Sequence, residues 1–456
     1  MIPLAGLPIL TAQEMRAAET RAITAGTNVD ALMARAGEAV AEQVRRLAAG
    51  AEALVVCGPG NNGGDGYVAA AALRRAGHAV RVAASGEART AVAAAARARW
   101  DGPVETLDAH EAPVVVDALF GIGLTRALED DVGGAVRRLV RAARLSVAVD
   151  VPSGVSSDDG ACLGDVPRFD LTLALGAAKP AHVLQPAASL CGMVRVLDIG
   201  IAIDGAVRVA EPPRLTGPGP AAHKYSRGLV AVVAGSMPGA SALSATAAAQ
   251  GGAGYVLLLG SATDRLPHAI VRRRLDAAAL ADPRLGAVVI GPGLGRDDKA
   301  RERRDMALSC GRPLVIDGDA LHLLVGHAIP PRSILTPHAG EFAALFGGCG
   351  GSKIARALAA AQASGAIVVF KGADTVIAAP DGRAIVHPHG SAWLATAGTG
   401  DVLAGIIAAQ RAGGADPFEA AATGVWLHAE AARRAGPAFL ADNLAAHLPG
   451  AIGACL

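Results

Sequence analysis

Residues 396–409 read TAGTGDVLAGIIAA, a glycine-rich turn that runs directly into an apolar helix. Gly398 and Gly400 bracket Thr399, and Asp401 stands where the helix begins. The first N–H groups of a helix have no partners within it, and the dipole is positive at that end, so the turn is suited to an anion. A carboxylate repels phosphate, so Asp401 is interpreted as a base that activates a hydroxyl beside a phosphate in transfer. The alternative is a turn in which Asp401 only caps the helix.

The composition limits the class of protein. A chain of 456 residues fits two domains, and its 52% of hydrophobic residues is enough for two buried cores. The formal net charge of +1 argues against a nucleic-acid-binding surface, which needs clustered positive charge. No run of about 20 apolar residues predicts a membrane span.

The N-terminus and the cysteines indicate a cytoplasmic protein. Residues 1–10 lack the basic start and the cleavage site of a secretory signal, and Thr11 to Glu14 has the spacing of a helix capping box. The cysteines show no metal-binding spacing and are interpreted as reduced thiols. They are Cys57, Cys162, Cys191, Cys310, Cys349 and Cys455.

The first half alternates between strand and helix patterns. The apolar run at 53–57 predicts a strand, 58–66 (GPGNNGGDG) a glycine loop, 67–76 a helix and 79–84 a second strand. This order is typical of a nucleotide-binding unit, with its ligand at the carboxyl ends of the strands. Asn61 and Asn62 occupy the centre of the loop, and their amides suit a monovalent cation or an amide-bearing substrate better than a bare pyrophosphate.

Two later strands end in acids. Asp117 follows the run 114–116, and Asp150 follows 146–149 and precedes Ser153. The carboxyl ends of parallel strands converge, so these three residues and Asn62 are expected to line one crevice, with the Lys179 ammonium over its rim. The alternative for each acid is a helix cap.

These motifs resemble the NAD(P)H-hydrate epimerase domain. The resemblance spans about residues 10–203 and rests on GPGNNGGDG at 58–66, VVDALFGIGL at 115–124, VDVPSG at 149–154 and AAKP at 177–180. It implies a potassium ion held by Asn62, Asp117 and Ser153, with Asp150 as the acid nearest the reacting ring and Lys179 beside it. It also implies that the hydrated dinucleotide contacts Asn61, Asn62, Gly63, Gly64, Asp65, Gly121, Ile122, Gly123, Leu124, Thr125, Arg126 and Ala127.

The first series stops at two consecutive prolines, Pro212 and Pro213, and residues rich in Pro, Gly and Ala continue to 222. Such a stretch favours an extended linker, so the domains are predicted as 1–212 and 213–456. A second alternating series starts at 229. Its apolar runs lead into GSMPGA at 235–240, GPGLG at 291–295, DGDAL at 317–321, TPHAGE at 336–341 and KGADT at 371–375. The predicted fold is α/β, with two doubly wound domains.

The second series resembles the ribokinase-like superfamily and, within it, the NAD(P)H-hydrate dehydratase. The GTGD turn is shared across the superfamily, whereas TPHAGE, GPGLG and KGADT are typical of the dehydratase. The resemblance covers about residues 225–446. It implies that Ala240, Gly293, His338 and Asp401 face the hydrate; the alternative for His338 is a structural role. The residues implied to contact ADP or ATP are Lys371, Gly372, Ala373, Asp374, Thr375 and Gly400.

Together the two resemblances imply a nicotinamide repair enzyme and a homo-oligomer. The first domain, a Rossmann-like three-layer unit, would interconvert the R and S hydrates of NADH and NADPH. The second would phosphorylate the S epimer with ADP or ATP, assisted by Mg²⁺, so that elimination restores NAD(P)H.

Two other interpretations stay open at this point. A ribokinase-like kinase of a small hydroxymethyl heterocycle, fused to a nucleotide-binding module, accounts for GTGD but not for GPGNNGGDG or TPHAGE. A non-enzymatic first domain would be a binding module.

Overall fold

The structure is a computed structural model that describes residues 1–261, 266–348, 350–388 and 390–456. The chain divides into two compact units, Met1–Val209 and Ala210–Leu456. The boundary predicted between residues 212 and 213 lies three residues further along the chain. Cys349 lies outside the described residues, and the five described cysteines are free thiols. No helix among the described residues has the length and apolarity needed to cross a bilayer.

The first unit, residues 1–209, is described throughout and contains a seven-stranded parallel sheet. Its strand order is β3-β2-β1-β4-β5-β6-β7. The seven strands are β1 (Ala53–Cys57), β2 (Val80–Ala84), β3 (Val104–Glu105), β4 (Val114–Ala118), β5 (Leu145–Val149), β6 (Leu171–Leu175) and β7 (Met193–Leu197), and a short eighth strand, β8 (Val207–Val209), is not part of this sheet. The helices are α1 (Ala12–Thr24), α2 (Val29–Ala48), α3 (Asn61–Arg75), α4 (Ala91–Arg97), α5 (Asp130–Ala142) and α6 (Ala187–Leu190).

Helices cover both faces of this sheet, which explains why its strands are continuous apolar runs. Val55 and Cys57 of β1 pack into the core cluster that contains α2 and α3, whereas Leu54 and Val56 pack on the opposite face. The α/β expectation and the Thr11–Glu14 capping box are confirmed.

The predicted start of α3 is wrong. The helix begins at Asn61, six residues before the predicted Tyr67, so the loop is only Gly58–Gly60. The glycines of 63–66 serve close packing: a Cβ on Gly63 would lie 1.9 Å from the Gly58 carbonyl oxygen, and one on Gly64 would lie 2.6 Å from Met33 Sδ. Glycine-rich sequence marks a tightly packed first helical turn here, not a flexible loop.

The second unit contains a mainly parallel sheet. Its described strands follow the order β11-β10-β9-β12-β13-β14-β15-β16-β17, with antiparallel pairing from β15 to β16 and from β16 to β17. These strands are β9 (Leu229–Val233), β10 (Tyr255–Leu259), β11 (Val271–Arg273), β12 (Leu285–Ile290), β13 (Leu314–Ile316), β14 (Ile334–Leu335), β15 (Ile367–Phe370), β16 (Thr375–Ala378) and β17 (Ala384–His387). The helices are α7 (Pro238–Gln250), α8 (Ala277–Leu280), α9 (Asp298–Leu308), α10 (Gly318–Leu323), α11 (Ala339–Phe346), α12 (Lys353–Ser364), α13 (Thr399–Ala412), α14 (Pro417–Ala435), α15 (Ala441–Leu444) and α16 (Leu448–Gly453).

Helix α13 is buried along most of its length. Leu403, Ala404 and Ile407 pack into the same core cluster as the sheet. A Cβ on Gly405 would lie 2.1 Å from the Ser244 carbonyl oxygen, so α7 and α13 approach closely at this glycine. The core therefore fixes the N-terminus of α13, which carries the GTGD turn.

Candidate active sites

The first unit has a cavity of about 600 Å³ at the carboxyl ends of its strands. Helices α1 and α2 and the chain after β1, β4, β5 and β6 form its walls. Its polar lining includes Glu19, Asn61, Asn62, Asp65, Thr90, Asp150 and Lys179.

Asp150 and Lys179 form a buried ion pair on this cavity. Lys179 Nζ lies 2.5 Å from Asp150 Oδ1 and also donates to the Leu175 carbonyl oxygen at 2.6 Å. The same Asp150 oxygen accepts the Leu175 N–H at 3.1 Å. Asp150 has a left-handed backbone, with φ of 67°, a conformation that non-glycine residues adopt at a cost and often at functional sites. The two side chains therefore hold each other in place while buried.

His182 contacts the backbone of both residues of this pair. Its Nδ1 accepts the Lys179 backbone N–H at 2.9 Å, so the ring proton is on Nε2, which donates to the Asp150 carbonyl oxygen at 2.7 Å. Burial, then the Lys179 charge, lowers the pKa of His182 to about 4. The histidine is therefore neutral and positions the loop.

Two further carboxyl groups face the same cavity. Burial raises the pKa of Asp65 well above its usual range, and the charges of Asp150 and Glu19 add to that rise. Burial also raises the pKa of Glu19, again with a contribution from Asp150. The cavity thus combines the Asp150–Lys179 pair with two carboxyl groups whose raised pKa favours the protonated form, a set able to give and accept protons.

Asn62 of α3 and Gly121 of the loop after β4 lie next to Asp150. A Cβ on Gly121 would lie 3.2 Å from Asn62 Oδ1 and 3.3 Å from Asp150 Oδ2. Among the described residues, the buried Nδ2 of Asn62 has no hydrogen-bond partner. A buried amide without a partner is costly, so this group is suited to a bound ligand.

Asp117 and Ser153 contact each other directly. Ser153 Oγ donates to Asp117 Oδ1 at 2.8 Å, and the Ser153 N–H donates to Oδ2 at 2.9 Å. Ser153 Oγ also lies 3.3 Å from the Phe120 carbonyl oxygen. Burial raises the pKa of Asp117, and the bonds from Ser153 and Leu119 oppose the rise. These oxygens form a donor set of the kind that hard cations take.

In the second unit, Asp401 lies in the first turn of α13. The N-cap residue of α13 is Gly398, which has φ of 88° and no side chain with which to cap the helix, so Asp401 is not the N-cap. Burial, then the negative charge of Asp317, raises the pKa of Asp401 to about 7, while Lys371 opposes the rise. The site therefore places a carboxyl with a near-neutral pKa beside uncapped helix N–H groups.

Asp317 and Lys371 lie against the GTGD turn. Lys371 Nζ is 2.7 Å from Asp317 Oδ1, which also accepts the Thr336 hydroxyl at 2.7 Å. A Cβ on Gly400 would lie 3.3 Å from Lys371 Nζ and 3.7 Å from Asp317 Oδ2. Glycine at 400 therefore lets the ammonium approach the helix N-terminus.

The GPGLG loop and α7 meet beside this turn. A Cβ on Gly293, whose φ is 61°, would lie 2.3 Å from the Met237 carbonyl oxygen and 2.9 Å from Ala240 Cβ. A Cβ on Gly235 would lie 2.1 Å from the Gly293 carbonyl oxygen. The small residues let two loops pack backbone to backbone.

Comparisons with known proteins decide the family. A model described as NAD(P)H-hydrate dehydratase matches residues 230–451, and one described as YjeF-related protein N-terminus matches 29–181. The bifunctional NAD(P)H-hydrate repair enzyme of Thermofilum pendens is 36% identical over 88% of this chain and 87% of its own. The enzyme of the same description from Salinibacter ruber is 34% identical over 94% of this chain and 92% of its own. The chain belongs to the family of bifunctional NAD(P)H-hydrate repair enzymes. The predicted family is confirmed, and the kinase alternative is not supported.

A solved structure supports the fold predicted for the second unit. A ribokinase-like superfamily protein from Enterococcus faecalis aligns with a TM-score of 0.51 and 24% identity, over 56% of this chain and 98% of its own. At that identity the likeness concerns the fold alone.

Most of the residues predicted for the epimerase site line the cavity of the first unit, but some do not. Asn61, Asn62, Asp65, Asp150 and Lys179 line it together with Gly121, Ile122, Gly123 and Leu124, whereas the buried Asp117 and Ser153 lie outside its lining. Thr125, Arg126 and Ala127 are exposed and lie outside that lining. Gly63 and Gly64 are buried beneath it and pack against backbone and Met33.

His338 has a capping role in the structure. Its Nδ1 accepts the N–H groups of Gly340 at 3.0 Å and Glu341 at 3.2 Å, and Glu341 returns the bond to the His338 N–H at 2.8 Å. The side chain is 59% exposed, and its Nε2 lies 3.4 Å from Glu341 Oε1 while Nδ1 caps α11.

Several residues that organise these sites were missed by the motifs. Lys353 of α12 lies 2.7 Å from Asp374 Oδ1 and 3.3 Å from the Lys371 carbonyl oxygen, and so fixes the KGADT loop. His428 of α14, neutral because burial lowers its pKa to about 4, contacts the Thr399 carbonyl oxygen at 2.9 Å. Glu19 of α1 is the third. No glycine or strand-end signal marks any of them.

Proposed function

We propose that this chain repairs hydrated nicotinamide dinucleotides with two sites that act in series. The first unit interconverts the R and S hydrates of NADH and NADPH, and the second dehydrates the S epimer with ADP or ATP. The observation that carries the proposal is Asp401, a largely buried carboxyl with a pKa raised to about 7 at the uncapped N-terminus of α13.

The proposed dehydration uses phosphate as the leaving group. The hydroxyl oxygen of the hydrate attacks the terminal phosphorus of the nucleotide while Asp401 accepts the hydroxyl proton. The bond between that phosphorus and the bridging oxygen of the nucleotide breaks. Elimination then expels phosphate from C6 with loss of a proton from C5, which restores the 5,6 double bond. A pKa near 7 suits this base at neutral pH, and the N–H groups of residues 399–401 stabilise the charge on the transferring phosphoryl group.

The nucleotide is proposed to lie between the KGADT loop and the GTGD turn. The Lys371 ammonium adjoins Gly400, so it can neutralise phosphate charge next to the reacting hydroxyl. The Lys353–Asp374 pair holds the loop that carries Lys371, Gly372, Ala373 and Thr375. Ala240, Gly293 and the Nε2 edge of His338 are proposed to face the hydrate.

Magnesium is proposed to reach this site on the nucleotide phosphates. Among the described residues there is no group of three or more His, Cys, Asp or Glu side chains able to hold a metal. Mg²⁺ often binds through one or two carboxylates together with substrate phosphates, so it does not need a group of three protein ligands. The ion would screen the charge between donor and acceptor.

The epimerase site is proposed to be the cavity that contains Asp150 and Lys179. Inversion at C6 requires a bond to that carbon to break and re-form on the other face, with a proton delivered and removed. Asp150 has one oxygen held by Lys179 and its other oxygen beside Gly121 and Asn62, facing the substrate space. The unpartnered Nδ2 of Asn62 is proposed to donate a hydrogen bond to the substrate, and only the Oδ1 of the same amide can serve the nearby cation.

Potassium is proposed to bind Asn62, Asp117 and Ser153. The carboxylate, the hydroxyl and the adjacent Phe120 carbonyl supply oxygen ligands only, which fits a hard cation. The ion would stabilise the loop after β4, whose residues 121–124 line the cavity.

The experiment is incubation of the R and S hydrates of NADH with ADP or ATP, followed at the absorbance of reduced nicotinamide. We expect nucleotide-dependent recovery of NADH from the S epimer. Phosphorylation of a small hydroxymethyl heterocycle with no recovery of NADH would instead support a kinase and contradict the proposal.

A further inference from the structure

A second cavity, of about 750 Å³, lies at the edge of the sheet in the second unit. We call it the basic cavity. It is lined by Gly260, Ser261, Arg272, Arg273, Arg274, Leu275, Lys299, Glu302, Arg303 and Met306. Five of these side chains are cations, and one is a carboxylate.

The cations come from two elements that face each other. Arg272 to Arg274 lie at the carboxyl end of β11, the terminal strand of the described sheet. Lys299, Glu302, Arg303 and Met306 have the spacing i, i+3, i+4 and i+7, which places them on one face of α9.

The pairing of these cations with described residues differs from that of their neighbours. Among the residues that the structure describes, none of the five forms an ion pair, whereas Arg296, Arg301 and Arg304 each do. Arg273 makes a minor contribution to the low pKa of Asp282, but Asp282 is bonded by Arg284, which lowers that pKa to about 2. Like charges gathered in a concave surface repel one another, so the arrangement is stabilised when an anion binds.

Edge protection explains only part of this pattern. Charged residues on a terminal strand prevent pairing with another chain, and arginines on β11 serve that purpose. Protection does not require Lys299 and Arg303 of a separate helix to converge on the same space, where Glu302 is the one carboxylate among five cations in the lining. The convergence indicates an anion-binding site.

The basic cavity lies two strands along the sheet from β9, and the loop after β9 leads to the proposed hydrate site. A Cβ on Gly260 would lie 3.3 Å from Ala234 Cβ, and the next residue, Gly235, packs against Gly293. Because neighbouring strands are about 4.8 Å apart, the end of β11 lies roughly 10 Å from that of β9. The KGADT loop follows β15, six strand spacings away, or roughly 29 Å, on the other side of the GTGD turn.

We propose that the basic cavity binds a phosphate group of the dinucleotide hydrate, at the end remote from the hydrated ring. The inference rests on the proposed function, because it takes the hydrate to lie at Ala240 and Gly293. The distance to KGADT places the cations on the hydrate side of the site and far from the proposed nucleotide site. The phosphate is either the pyrophosphate, present in both hydrates, or the 2′-phosphate, present only in the NADPH hydrate.

The test is the double variant Arg272→Ser/Arg274→Ser, compared with Arg301→Ser. Both variants remove exposed arginines from the same unit, but Arg301 pairs with Asp298 and lies outside the basic cavity. We expect KM for the hydrate to rise roughly tenfold or more in the double variant, since hydrogen bonds to charged groups are lost, with kcat and KM for ADP unchanged. The control should match the wild type.

The two hydrates distinguish the phosphate. A rise in KM for the NADPH hydrate alone assigns the 2′-phosphate, and a rise for both hydrates assigns the pyrophosphate. An unchanged KM for both hydrates, or a rise in KM for ADP alone, would overturn the proposal. Wild-type turnover is measured in parallel: if the wild type does not regenerate NADH, the proposed function fails, whereas an active wild type and an equally active double variant refute only the cavity assignment.

Discussion

Replacing Asp401 with Asn is expected to separate catalysis from stability. Asn retains the size of the side chain but cannot accept a proton, so dehydration should fall by about 10²- to 10⁴-fold. Nucleotide binding should survive, because the helix N–H groups and Lys371 remain. The assay is turnover of the S hydrate beside a nucleotide titration on the same variant.

The same substitution, which lowers activity, is expected to stabilise the folded protein at alkaline pH. The rise of the Asp401 pKa from 3.8 to about 7 corresponds to about 4 kcal/mol of preference for the protonated form in the folded protein. Because the pKa of Asp401 is raised in the folded state, the contribution of this side chain to the free energy of unfolding is full below pH 3.8. It is lost as the pH rises through 7. Because the group is not completely enclosed, we expect Asp401→Asn to gain about 1 to 2 kcal/mol at pH 8.

Thermal unfolding measures that gain. We expect the Tm of the transition of the second unit to rise by roughly 2 to 8 °C at pH 8, with the gain vanishing towards pH 4. Asp416→Asn is the matched control, because Asp416 caps α14 through a 3.0 Å bond from the Phe418 N–H and Asn caps equally well. Near wild-type turnover of Asp401→Asn, or a lower Tm at pH 8, would refute the reasoning.

The remaining predictions concern both sites. Asp150→Asn should abolish conversion of the R epimer and leave dehydration of the S epimer near normal; equal loss of both activities in a folded variant would contradict the two-site account. Replacing potassium with sodium should slow epimerisation, since the oxygens of Asp117 and Ser153 are proposed to hold the larger ion, whereas equal rates in both salts would count against that site. Lys371→Met should move the acid limb of the dehydration pH profile upward from about pH 7, because Lys371 lowers the Asp401 pKa; an unchanged limb would show that another group titrates.

The sequence was most informative where chemistry follows a strand. The runs before Asp117 and Asp150 are parallel neighbours in the sheet, β4 and β5, and their carboxyl ends meet as predicted. The contact of Asp117 with Ser153 and the pairing of Asp150 with Lys179 follow from that topology. Their catalytic and metal-binding roles stay predictions.

The sequence was least informative about site residues that lie on helices, and about glycines that can serve either a turn or close packing. Glu19 and Lys353 lie on helices, and only the packing of those helices shows that they reach a site. The run at 58–66 indicates a loop because glycine favours turns, yet its later glycines permit close packing inside α3. Position 338 indicates a ligand contact by resemblance, and the structure adds a capping box that the motif does not reveal.

The central claim is that two sites on one chain act in series, and the purified R hydrate of NADH tests it most directly. With ADP and potassium present, the account predicts that the wild type restores the full absorbance of reduced nicotinamide, that Asp150→Asn restores none within the time needed to consume the S hydrate, and that Asp401→Asn forms the S hydrate without restoring NADH. Restoration of NADH from the R hydrate by Asp150→Asn at the wild-type rate would contradict the account.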